Sequence, residues 1–255
     1  MLARVSPYDD DCADTLVIGP KGSGKSTLMA WRDFCQGLRF KGWSVMGWSL
    51  GGSFRCVAKC LGGVHYNLFR DALGIQILRD LDREEEIPWI LSWLYNRLRH
   101  YQMIVDADVQ SVVSSNVQAL RDSQMPRTMR SLIVLLAGHR RHMEQLAIAQ
   151  KRSDLDLLSK KAHQIITVFK NFAQGGVYGR YVDSDVDRFQ HARVMSIDPA
   201  DVIDVPEVYP ALLEVIFHRV RQRRDGSPTR YVFDEAHQIL DTPSFVDFLA
   251  LDIPT

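Results

Sequence analysis

The chain has 255 residues, with 46% hydrophobic and 24% charged side chains. This is enough apolar material for a sizeable core and too much for a disordered segment. Lysine plus arginine and aspartate plus glutamate both number 31, a balance that argues against sequence-independent nucleic-acid binding over the whole surface. None of the four cysteines, Cys12, Cys35, Cys56 and Cys60, forms a Cys-x-x-Cys pair, so neither a zinc site nor a disulfide framework is expected, and a reducing cytoplasm fits. The first residues lack the apolar stretch of a signal peptide, and Leu132 to Ala137, the longest apolar run, is too short to span a bilayer.

In chain order, residues 1–13 read as a polar lead-in, with Asp9, Asp10 and Asp11 as a solvated turn. Thr15 to Ile18 reads as a buried strand ended by Gly19, and Ser26 to Phe40 has helical spacing. Trp43 to Trp48 reads as a second strand, broken by Gly51-Gly52. From Leu81 to Phe172 helical periodicity dominates, with Glu84-Glu85-Glu86 before Pro88 suiting a helix N-terminus. Gly175, Gly176 and Gly179 mark a loop. Ala192 to Ile197 reads as a returning strand, Pro210 to Arg224 as an amphipathic helix, and Arg230 to Phe233 as a last strand. The division is therefore 1–80 for the first portion of an α/β core, 81–174 for a helical insertion, and 175–255 for the second portion of the core.

Between the first strand and the first helix stands Gly19-Pro20-Lys21-Gly22-Ser23-Gly24-Lys25-Ser26, a complete Gly-x-x-x-x-Gly-Lys-Ser phosphate loop. Glycines allow the tight turn that points backbone N–H groups at an anion, and the helix that starts there adds its positive end. Lys25 is placed for the β and γ phosphates of ATP, the Ser26 hydroxyl for Mg²⁺, and Thr27 for the α phosphate. Asp234-Glu235 ends the last strand. Its first carboxylate suits the Mg²⁺ side and its second the activation of the attacking water.

Other candidates carry less. His139-Arg140-Arg141-His142 reads as a solvated basic face of a helix. Arg219, Arg221, Arg223 and Arg224 form a cluster that could meet nucleic acid, although a helix C-terminus favours cations in any case. Trp43 and Trp48 read as packing residues, and Cys56 and Cys60 as core.

Asp234-Glu235-Ala236-His237 matches the name-giving box of DEAH helicases, but it lies too far from the phosphate loop for that family, and the other helicase motifs are not evident. From Thr15 onward the chain instead resembles the TrbE-like conjugative-transfer ATPases of type IV secretion systems. The likeness runs through Thr15 to Pro20, Gly51 with Ser53-Phe54, Gly62-Gly63 with Tyr66-Asn67-Leu68, and Gly175 to Asp185 with Tyr178-Gly179 and Asp183. It continues through Pro210 to Leu213, Phe217-His218-Arg219, Asp225 to Thr229, and Asp234-Glu235-Ala236 with Leu240, Pro243 and Phe245. The resemblance implies a RecA-like core with a parallel sheet, a hexamer on the cytoplasmic side of the bacterial inner membrane, and inner-membrane secretion partners. It implies ATP hydrolysis that powers channel or pilus assembly and transfer of DNA or protein. Glu235 would be catalytic and Asp234 the magnesium-side carboxylate, while contact with DNA stays open. Three departures from the family's pattern stand out. Lys21 replaces a small polar residue, Ser49 replaces an Asp, and the chain stops at Thr255, before further strands, a polar sensor and an arginine finger. The expectation is an incomplete sheet and a truncated chain. Two further readings remain: a nucleotide-binding module without turnover, and a RecA-like DNA helicase or pump.

Overall fold

A computed structural model describes residues 17–20, 22–36, 42–71, 73–222 and 228–236. The chain divides into two compact units: residues 1–66, 192–198 and 225–236 form one, and residues 67–191, 199–224 and 237–255 the other.

The first unit is built on a four-stranded sheet: β1 (Ser44–Trp48), β2 (Val64–Asn67), β3 (Val194–Asp198) and β4 (Thr229–Phe233), in the order β2-β3-β1-β4. β1 runs parallel to β3 on one side and to β4 on the other. A parallel strand covered on both faces needs apolar residues at nearly every position. β1 meets that need, with Val45 to Trp48 buried, while β3 is buried throughout from Val194 to Asp198 but includes the polar Ser196 and Asp198. These are the expected strands at 43–48, 192–197 and 230–233, shifted by a residue or two. β2 was not among the expected strands. Of the strand expected at 15–18, Thr15 and Leu16 lie outside the described residues, while Val17 and Ile18 carry no strand and Ile18 is exposed.

One sheet face is closed by an apolar cluster of Phe34, Phe54 and Ala58 over Val45, Val194 and Val232. Phe34 comes from the segment after the phosphate loop. Helix α1 (Lys25–Met29) passes there into a wider π-helical stretch, Ala30–Gln36, and residues 37–41 lie outside the described residues. Phe54 stands at the start of helix α2 (Arg55–Cys60), and Ala58 lies within it. Gly47 leaves the space these rings occupy, since a Cβ there would run into Phe34 and lie 2.7 Å from Phe54 Cδ2.

The second unit is helical. It holds α3 (Ile87–His100), α4 (Ala107–Asp122), α5 (Met129–Gln150), α6 (Ser153–Phe172), the single turn α7 (Gly179–Val182) and α8 (Tyr209–Gln222). Asp106 and Thr128 cap α4 and α5 by accepting from Val109 N and Ser131 N. α5 and α6 pack as a hairpin through a two-residue turn, where Lys151 adopts the left-handed conformation. Polar clamps fix the rest. Both Asp183 oxygens accept backbone N–H groups, from Met129 and Gln174, each at 2.8 Å. Arg97 pairs with Glu214 at 2.7 Å. Arg219 pairs with Asp187 and donates to Gln76 O.

Candidate functional site

Within the first unit, the phosphate loop enters α1 through two left-handed glycines, Gly22 (φ 80°) and Gly24 (φ 84°), and Gly24 caps the helix. A side chain at either would be strained, so these glycines are set by the backbone itself. Lys25 folds back over the loop, and its Nζ donates to Gly19 O at 2.8 Å and to Pro20 O at 2.9 Å. Ser23 and Thr27 are exposed, Lys25 and Ser26 are half-buried, and Lys21 lies outside the described residues.

The Ser26 hydroxyl donates to Asp234 Oδ2 at 2.6 Å across 208 positions of sequence. Asp234 is itself held: its backbone N donates to Trp48 O at 2.8 Å, and it is buried. Through this contact the segment that holds Gly19, Pro20, Gly22, Ser23, Gly24, Lys25, Ser26 and Thr27 meets Asp234 at the carboxyl end of β4. Glu235 follows with a left-handed backbone (φ 58°), uncommon for a residue with a Cβ, and its side chain is exposed.

Strand register extends the site. Trp48 pairs with Ile197 of β3 and with Phe233 of β4. The next residues, Ser49, Asp198 and Asp234, therefore form a row across the carboxyl ends of three neighbouring strands, where parallel sheets commonly take ligands. Ser49 is fully buried, and its Oγ accepts from Phe54 N at 3.4 Å. Asp198 accepts from Gly51 N at 3.0 Å and so holds the turn after β1. Asp33, in the π-helical stretch, ties the loop helix to β4 by accepting from Arg230 at 3.0 Å. Burial pushes the Asp33 carboxyl up, against the opposing pull of Arg230 and Arg32. Asp33 and Asp198 were missed in the sequence. Only register, or the distant Arg230, reveals what they do.

Oxygen donors at Ser26 and Asp234 suit a hard divalent cation. Among the described residues no group of three or more His, Cys, Asp and Glu side chains is set to hold a metal. A cation here would take the rest of its shell from phosphate oxygens and water, the habit of Mg²⁺.

Several sequence-based expectations fall differently. Cys56 and Cys60 are not core; both are exposed on α2. Arg219 is not a surface cation for nucleic acid, being buried against Asp187, while Arg223 and Arg224 lie outside the described residues. Glu86 does more than offset a helix dipole: it is buried and sits 2.6 Å from His218 Nε2. Trp48 is a packing residue as expected, and Trp43 lies under the Arg230 guanidinium, 5.3 Å from its ring centre. His237, Leu240, Pro243 and Phe245 lie outside the described residues, as do the Asp9–Asp11 run, Cys12 and residues 225–227.

The chain is 24% identical over 254 residues, 96% of its length, to the conjugal transfer protein TrbE of Rhizobium radiobacter, covering 28% of that protein. It is also 24% identical over 251 residues, 95% of its length, to a probable conjugal transfer protein TrbE of Sinorhizobium fredii (strain NBRC 101917 / NGR234), covering 34% of it. The chain is similar to these TrbE proteins. The likeness read from the motifs thus holds along nearly the whole sequence, although the chain spans only about a third of the length of these curated relatives. In fold it is similar to VirB4 of Thermoanaerobacter pseudethanolicus, with a TM-score of 0.60 and 17% identity over 90% of this chain and 63% of that one. The expected α/β architecture with a parallel sheet is the one found. No protein-family profile matches the chain. Among the described residues no helix is long and apolar enough to cross a membrane.

Proposed function

We propose that this chain binds ATP with Mg²⁺ at residues 19–27 and Asp234, and hydrolyses it to power conjugative transfer through a type IV secretion system. The observation that carries the reading is the 2.6 Å contact between Ser26 and Asp234, which joins a complete phosphate loop to an acidic strand end. The loop N–H groups, the start of α1 and the Lys25 ammonium all favour a polyphosphate. Ser26 and Asp234 offer the oxygens for Mg²⁺, which when bound would neutralise charge on the transferred phosphoryl group. Glu235, one residue beyond and exposed, is the group to orient and deprotonate the attacking water. The conjugative role is supported by the TrbE proteins, which carry that function in their names. A hexamer, inner-membrane secretion partners and a position on the cytoplasmic face belong to the same proposal.

The test is to measure ATP binding and steady-state hydrolysis by the chain, alone and mixed with a full-length TrbE. Lys25→Ala should lower affinity by ~10-fold or more, since charge-assisted contacts are worth about 1.5–3 kcal/mol. Glu235→Gln should keep binding and lower turnover by ~10²-fold or more. Binding without turnover in either setting would leave a nucleotide-binding module. ATP-driven strand separation would favour a helicase. Failure of the parent chain to bind Mg²⁺-ATP would refute the reading.

A further inference from the structure

Helix α2 carries Cys56 and Cys60, two of the chain's four cysteines, and both are exposed. Geometry explains this. α2 is moored by Ala58, which is fully buried in the cluster with Phe54 and Val194 and whose N–H donates to Phe54 O at 3.0 Å. At roughly 100° per residue, positions two before and two after Ala58 both point away from the sheet, only ~40° apart around the helix axis. Four residues of separation also stack the two side chains one turn apart, with Cβ atoms about 5–6 Å from each other. Two thiols therefore share one solvent-facing stripe, and rotation about their Cα–Cβ bonds brings the sulfurs together without unwinding the helix.

We propose that Cys56 and Cys60 form a surface dithiol that binds a trivalent arsenical, one centre per chain, through both sulfurs. Soft thiolates select soft centres. Zinc would require four ligands, and among the described residues no group of three or more His, Cys, Asp and Glu side chains is set to supply them. Trivalent organic arsenic needs only two sulfurs beside its own carbon. An arylarsonous acid carries two hydroxyls on arsenic. Two As–S bonds form, two As–O bonds break, and each hydroxyl leaves with a thiol proton as water, so nothing is oxidised or reduced. The site is separate from the phosphate loop and does not depend on the nucleotide reading.

The experiment uses the full chain, reduced with a phosphine, loaded with equimolar phenylarsonous acid, challenged with excess monothiol and weighed by intact-mass spectrometry. The parent and Cys35→Ser should each retain one arsenical. Cys56→Ser and Cys60→Ser should hold it ~10²-fold less well or worse, the scale on which two linked attachments exceed one. Serine at these exposed positions leaves the core untouched, and matched thermal melts would verify it. Loss from the parent as fast as from the single-cysteine variants would overturn the proposal. So would retention by Cys56→Ser or Cys60→Ser.

Discussion

Ser26→Ala tests whether the contact with Asp234 marks a magnesium position. The hydroxyl donates to Asp234 Oδ2 at 2.6 Å, and the Asp234 main chain is fixed by its own N–H on Trp48 O. Asp234 is only 6% exposed, so it cannot swing out to water when the donor is lost. Without nucleotide, the variant forfeits one charge-assisted bond, worth about 1.5–3 kcal/mol, and water entering beside half-buried Ser26 recovers part of it. The net loss of stability should be ~1 kcal/mol. On the proposed reading, with Mg²⁺ and nucleotide the hydroxyl would serve instead as a metal ligand, and its loss should lower affinity by ~10- to 100-fold, equivalent to about 1.4–2.8 kcal/mol. With chelator in place of Mg²⁺, the loop amides and Lys25 act alone, and parent and variant should bind nearly alike. The assay is a titration of a fluorescent ATP analogue with Mg²⁺ and again with chelator. Equal loss under both conditions, or no loss with Mg²⁺, would refute the assignment.

Two further predictions concern packing and pH. Gly47→Ala would drive a methyl group into Phe34 and Phe54, both fully buried with ring centres 5.0 Å apart, so neither ring can withdraw. Overpacking of this kind costs about 1–3 kcal/mol, or roughly 2–4 °C of Tm per kcal/mol; an unchanged thermal midpoint would show that the rings yield freely. Burial holds His218 below the ordinary histidine range, only partly offset by Glu86, and the ring stacks on Trp89 at 3.8 Å. The unfolded chain therefore takes up this proton first, so the stability contributed by neutral His218 is present above the ordinary histidine value and lost as pH falls through the native one. Urea unfolding from neutral to mildly acidic pH should show a flatter profile for His218→Gln, and an equally steep one would assign the slope to other groups.

What the sequence disclosed about this chain depended on how far apart the cooperating residues lie. The phosphate loop is legible because its requirements are local: Gly22 and Gly24 are needed by the turn they form, whatever else the chain does. β1 and β3 are legible because strands with a neighbour on each side read as largely apolar runs, Val45 to Trp48 being the clearest; β4, at one end of the strand order, is legible from the apolar run Tyr231-Val232-Phe233 itself. β2 escaped notice because every residue from Val64 to Asn67 is only half-buried at the sheet edge, and the segment mixes polar with apolar side chains. Cys56 and Cys60 were misplaced for a related reason: composition marks them as apolar, but the face α2 presents is decided by Ala58 and the strand beneath it. Long-range polar pairs left no local trace. His218 and Glu86 are 132 positions apart, and Arg219 reads as one charge of a basic helix end until Asp187 is found against it. Ser26 and Asp234 are farther apart than either pair, yet they were brought together from sequence alone. The difference lies in chemistry. A phosphate loop needs a carboxylate near its serine for the metal to have ligands, so one half of the site demands the other, whereas a buried histidine can be satisfied by any acceptor the fold provides. Asp198 lies between these cases. Nothing local marks it as special, but once β1 and β3 are paired it must stand beside Ser49, in the same row as Asp234.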